Sequence, residues 1–140
     1  MLPALNENGD LPPGVYLAGW NEIELRFGIG SEARKQAFVT LKHVHDLAVG
    51  TGQLKTLYVF GSFVSAALEP RNVDVVLVMK RDFKLENCPW PAIALFSHAA
   101  AEARYGATVF WFREGTLPNE LLQAWQLKRD GTLRGILEVA

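Results

Sequence analysis

With one cysteine, Cys88, in 140 residues, the chain cannot form an internal disulfide, and this fits a reducing compartment. The thiol sits in Asn87-Cys88-Pro89-Trp90 with no second cysteine or paired histidine nearby. That setting describes a buried or half-buried side chain rather than a nucleophile or a metal ligand. No apolar run approaches the roughly 18 residues that span a bilayer. The opening MLPALNENGD carries no basic, apolar leader pattern, so a cytoplasmic protein without a membrane partner is expected. An excess of positive charge is also missing: 14 basic and 15 acidic residues give a net charge of −1. Proteins that hold nucleic acid by its phosphates usually carry a basic surplus, and no nucleic-acid partner is expected. Arg71, Lys80, Arg81 and Lys84 lie close together in sequence and leave room for a local basic patch. Repeats and low-complexity tracts are absent as well.

What is present is the composition of an ordinary folded domain, 49% hydrophobic and 21% charged, in a length that suits one core. The whole chain, 1–140, reads as one domain. Residues 1–14, rich in Pro, Gly and Asn and closed by Leu11-Pro12-Pro13-Gly14, read as an extended arm. Apolar positions 20, 23 and 27 predict a short amphipathic helix ending at Gly28. Ser31 is a good N-cap for a second helix over roughly 32–49, with an apolar stripe through Ala33, Ala37, Leu41, Val44, Leu47 and Ala48. His43 and His45 on that helix are two apart and so on different faces, which rules out a shared metal.

Residues 54–60 read as a strand ending in Gly61-Ser62. After a short turn, 72–79 is β-branched and apolar on both faces beyond Asp74, as in a central, doubly covered strand. Pro91 opens a helix of about fourteen residues, 107–112 forms a third strand, and 121–125 forms a short helix or turn. Asp130-Gly131 then predicts a closing hairpin between 127–128 and 133–139. This order predicts an α/β or α+β mixed sheet with helices on one side. Trp20, Trp90, Trp111, Trp125 and His98 read as packing residues, and no serine has a histidine at the spacing of a hydrolase triad.

The stretch that bears on chemistry runs from Val59-Phe60-Gly61-Ser62-Phe63-Val64-Ser65 to Asn72-Val73-Asp74-Val75. Glycine lets a backbone approach a phosphate closely, and the serine and nearby N–H groups can bind its oxygens. Residues i and i+2 of a strand share a face, so two acids there can hold Mg²⁺ against a triphosphate. The same residues can equally serve structure alone, with Gly61-Ser62 ending a strand and Asp74 starting the next one.

Here the chain resembles the nucleotidyltransferase superfamily, whose signature is Gly-Ser, about ten residues, then Asp-any-Asp. It is similar in particular to the minimal bacterial members. Among them it resembles a small uncharacterised family with Leu11-Pro12-Pro13-Gly14 and Trp20 at its start. The likeness continues through Arg26-Phe27-Gly28, Gly61-Ser62-Phe63-Val64-Ser65 and Gly135-Ile136-Leu137-Glu138-Val139. The resemblance implies a nucleotidyltransferase-like mixed sheet, with Asp74 and Asn72 at the catalytic positions. It also implies Asp74 as a metal ligand and Gly61, Ser62 and Ser65 as cofactor-binding residues. Mg²⁺ and a nucleoside triphosphate would be the cofactors, or the site would bind neither.

The departures from the signature carry as much weight. Asn72 stands where the first aspartate belongs, and strand 107–112 lacks the third carboxylate. Glu114 and Glu138 are acids near strands but not at the expected place. The reading is therefore a degenerate nucleotidyltransferase-like protein acting as a binding or regulatory module. The resemblance implies a toxin-like protein partner, as in the antitoxin half of a toxin–antitoxin pair. A working Mg²⁺-dependent transferase acting on a protein or small molecule, and a structural protein with a vestigial cleft, remain the alternatives.

Overall fold

Five strands build one mixed sheet in the computed structural model, which describes all 140 residues. In chain order the elements are β1 (Val15–Ala18), α1 (Trp20–Phe27), α2 (Glu32–Val49), β2 (Leu54–Phe60) and β3 (Val73–Met79). They continue with α3 (His98–Tyr105), β4 (Ala107–Arg113), α4 (Asn119–Ala124) and β5 (Ile136–Val139). The sheet order is β1-β5-β2-β3-β4. β1 and β5 are parallel, as are β3 and β4, while β2 runs antiparallel to both β5 and β3. The mixed α/β class anticipated from the sequence holds, but β1, which was not anticipated, precedes the first helix. No helix is long and apolar enough to cross a membrane.

Period-two alternation sorts the central strands onto two faces. Leu57 and Val59, Val73, Val75 and Leu77, Ala107 and Val109, and Leu137 all join the main apolar cluster. α1 and α2 close that cluster with Ile23, Phe27, Leu41 and Val44, each fully buried. The opposite face carries Tyr58 and Phe60 on β2, Asp74, Val76 and Val78 on β3, and Thr108, Phe110 and Phe112 on β4. Trp125, at the end of α4, stacks on Phe60 there with ring centroids 5.6 Å apart. Helical cover is thus not confined to one side, because the end of α4 turns back over the second face.

Three other expectations need correction. The helix expected from Pro91 is split into a 3₁₀ segment, Ala92–Phe96, and α3, because Ser97 is extended and caps α3 by accepting from the Ala100 N–H at 3.4 Å. The closing hairpin is a single bridge, Leu127 to Leu133. Beyond it the chain leaves the hairpin plane: the Gly135 N–H donates to the Leu11 carbonyl, and a Cβ at 135 would run into the Pro12 carbonyl. β5 then inserts between β1 and β2. Residues 1–14 are an arm, but a fastened one. Leu2 and Leu11 are buried, and Arg26 donates to the carbonyls of Leu2 and Pro3. The arm leads directly into β1, a four-residue edge strand whose only partner lies more than a hundred residues downstream.

Candidate functional site

The turn after β2 is the pivot of the site. Gly61 has φ +82° and ψ −163°, a conformation essentially reserved to glycine. Its bare Cα is also what lets the Asp74 carboxylate lie alongside, since a Cβ there would overlap that carboxylate. A 3₁₀ turn follows over Ser62–Val64. The buried guanidinium of Arg34, on α2, holds this turn from below. It donates to the Phe27 carbonyl at 3.0 Å, to the Phe63 carbonyl at 2.9 Å and to the Ser65 carbonyl. Burial lowers the Arg34 pKa, yet three accepting carbonyls satisfy the charged fork without a carboxylate.

Ser62 closes the loop that leads to β3, its hydroxyl oxygen accepting from the Arg71 N–H at 3.1 Å. Its own proton remains available for a ligand. Ser65, read with Gly61 and Ser62 as cofactor-binding, lies elsewhere. It is buried, donates to the Ser62 carbonyl at 2.6 Å, accepts from the Ala67 N–H at 3.2 Å, and does not line the cleft. It shapes the turn.

Asp74 is the second residue of β3, in register with Phe60 on one side and Thr108 on the other. Burial pushes its carboxyl above the usual range, while a hydrogen bond from Thr108 and the charge of Arg134 pull it back down. Asn72 lies one residue ahead of the strand rather than within it, and is exposed. It shares the cleft with Asp74 all the same. Gly61, Ser62, Asn72 and Asp74, identified from the sequence, therefore come together in one place.

That place is an open cleft of about 900 Å³, the largest on the molecule, with no hydrophobic residue in its lining. Its far wall comes from residues the sequence did not single out. After α4 a tight loop, held by Asp130 accepting from the Thr132 N–H and hydroxyl at 2.9 and 2.6 Å, presents Lys128, Arg129, Asp130 and Arg134 to the cleft. Lys128 and Arg134 are anchored from behind by Asp10, whose carboxylate is 97% buried and lies 2.7 Å from one and 3.4 Å from the other. Of the four cations that sequence proximity grouped, only Arg71 reaches the cleft. Lys80 and Arg81 follow the opposite end of β3, about 23 Å away along a seven-residue strand.

The lining sets four cations, Arg71, Lys128, Arg129 and Arg134, against two carboxylates, Asp74 and Asp130. In a chain of net charge −1 this is a local reversal of sign. Neither of the spare acids joins it. Glu114 lies beyond the far end of β4, 3.7 Å from Lys55, and Glu138 is opposite Tyr58 on β5. The β4 position directly beside Asp74 is Thr108.

The Mg²⁺ implied by the nucleotidyltransferase resemblance fits this donor set poorly. Asp74 stands among the neutral Ser62, Asn72 and Thr108, and Arg134 adds positive charge to it. A small, strongly hydrated divalent ion is held by carboxylates converging with substrate phosphates, and is repelled by a guanidinium at the same point.

Residues 3–140 match the model of a family of unknown function, DUF6932. The chain belongs to that family. No curated protein and no solved structure matches it. Family membership thus covers nearly the full chain, including the arm, the Gly61 turn and the 128–134 loop.

Proposed function

We propose that this member of the DUF6932 family is a binding or regulatory module on a nucleotidyltransferase-like core. Its cleft would hold the phosphate chain of a nucleoside triphosphate without turning it over. The observation that supports this reading is the charge of the lining, four cations facing two carboxylates with a threonine at the β4 position beside Asp74. Guanidinium forks bind phosphate oxygens in pairs, and the Ser62 hydroxyl supplies a further donor. Nucleotidyl transfer calls for the opposite arrangement, in which carboxylates fix divalent ions on the phosphates and position the attacking group. Here Arg71 and Arg129, which form no ion pair within the protein, take over the neutralising role.

Calorimetric titration with ATP in EDTA, and again in millimolar Mg²⁺, tests this reading. Binding is expected in EDTA, weaker with Mg²⁺ because the complexed triphosphate carries less charge. It should fall at least tenfold in the Arg71→Ala/Arg129→Ala variant, and intact mass should not change after incubation. An Mg²⁺-dependent nucleotidyl mass shift, lost in Asp74→Ala, would establish a working transferase instead.

A further inference from the structure

Arg71 and Asn72, which line the cleft, also line a hollow of about 480 Å³ beside α2. Ala33, Gln36, Ala37, Thr40 and His43 of α2 follow the three- and four-residue spacing that puts side chains on one helix face. A second hollow, of about 370 Å³, continues along that face, and Gln36, Thr40 and Tyr105 line both. The two form one trough, about 15 Å long from Ala33 to His43 at the helical rise. Its charge is all of one sign. Arg71 stands at the Ala33 end and Arg104 at the His43 end, neither forms an ion pair within the protein, and no carboxylate lines the trough. Between them the lining is small or neutral. At the outer end Trp90 is 70% exposed, with the Arg104 guanidinium 4.6 Å from its ring centroid. The Tyr105 hydroxyl steadies this end by donating to the Pro91 carbonyl at 3.2 Å, and its ring meets His43 edge-on at 5.2 Å.

We propose that the trough binds an extended, acidic segment of a partner protein, with one carboxylate at Arg71, a second at Arg104 and an apolar residue over Trp90. Charge complementarity selects the occupant. Two unpaired guanidinium forks facing no acid suit two carboxylates, which they bind in pairs of hydrogen bonds. A length of 15 Å takes about four or five extended residues, so the two acids stand about four positions apart. The Gln36 amide and the Thr40 hydroxyl, midway along the trough, can meet the main chain between them. A nucleic-acid strand fits less well, because it is charged at every nucleotide and the middle of the trough offers no cation. Exposed Trp, Tyr and Arg side chains grouped at one end are the residue types on which protein interfaces concentrate their binding energy. The trough lies outside the cleft and requires no ligand there, although Arg71 borders both.

The experiment titrates the protein at low ionic strength with the peptide Ac-Leu-Glu-Ala-Ala-Ala-Glu-Leu-NH2, which reads the same in both chain directions, and with its counterpart carrying Gln for both Glu. The acidic peptide is expected to bind about tenfold or more tightly than the neutral one, the margin of one good charged pair. Arg104→Glu and Gln36→Glu, both at exposed positions, should each remove that margin. The acidic peptide should also change the tryptophan emission of wild type, and Trp90→Phe should abolish the change. The wild-type comparison of the two peptides decides the matter even if a variant does not fold. No binding of the acidic peptide, or equal binding of both, would overturn the proposal. Binding that Arg129→Ala weakens and Arg104→Glu does not would place the peptide in the cleft, which overturns the trough as its site. Tighter binding of a short oligothymidylate than of the acidic peptide, lost in Arg104→Glu, would give the trough to nucleic acid instead.

Discussion

Gly61→Ala perturbs the site through two separable terms. The backbone term comes from φ +82° with ψ −163°, where a non-glycine residue costs about 1–3 kcal/mol. The second term is steric and local. The new methyl would overlap the Asp74 carboxylate, so that side chain must leave its position beside Thr108 and forfeit a hydrogen bond to a charged group, about 1 kcal/mol at this half-exposed site. Together they predict a loss of about 2–4 kcal/mol, or roughly 8–16 °C in Tm for a domain of this size.

Removing the Asp74 carboxylate separates the two terms. In an Asp74→Ala background the carboxylate is gone and only ordinary contact with the residue 74 Cβ remains, so the backbone term alone should survive. Gly61→Ala should then cost about 1 kcal/mol less than it does in wild type, a coupling of the size expected for residues in direct contact. Urea unfolding of the four proteins, followed by circular dichroism, measures it. If Gly61→Ala costs the same in both backgrounds, the glycine serves only its turn, and the close approach of Asp74 is not what the position requires.

The half-buried Asp74 carboxyl gives a pH-dependent signature. A group whose pKa is raised on folding contributes stability below its unfolded value, near 3.8, and loses it as pH rises through the raised value. Asp74→Asn should therefore melt higher than wild type at pH 7, with the gain vanishing as pH falls toward 4; a variant less stable than wild type at pH 7 would contradict this. Asp10→Asn should destabilise by about 2–4 kcal/mol, at the lower end of a broken buried pair because Lys128 and Arg134 are one-fifth exposed. The same change frees both cations, so it should tighten tripolyphosphate binding even as the melting temperature drops; parallel losses of both would show that Asp10 positions the cleft rather than restraining its charge.

The half of the site that could be read from the sequence is the half made by local geometry. Gly61, Ser62, Asn72 and Asp74 belong to one strand–turn–strand unit, and alternation along β3 was enough to put Asp74 on a different face from Val73 and Val75. Thr108 was within reach by the same logic, since parallel pairing of two apolar runs sets it beside Asp74. The opposite wall had no such signal. Lys128, Arg129 and Arg134 sit in a polar loop more than fifty residues downstream, and only the insertion of β5 between β1 and β2 carries that loop to the cleft. β1 escaped for a related reason: four residues paired at one edge with the chain's last strand have no local partner. Ser65 misled because a serine at the end of a phosphate-type turn looks the same whether its hydroxyl points outward or, as here, back into the turn.

Both departures from the nucleotidyltransferase signature act in the same electrostatic direction. Asn72 is neutral where the resemblance calls for an aspartate, and β4, where it calls for a third carboxylate, carries no acid and sets Thr108 beside Asp74. Loss of negative charge alone would leave a weak, indifferent cleft. Here the opposing loop adds three cations, and a buried aspartate behind them holds two of these in place. The ion pairs by which Asp10 ties the arm to the loop thus also restrain the charge of Lys128 and Arg134 at the cleft wall. A cleft with Asp74 among neutral side chains and fixed cations on the facing wall is suited to an anion. This links the arm, the Gly61 turn and the 128–134 loop into one device rather than three separate structural details.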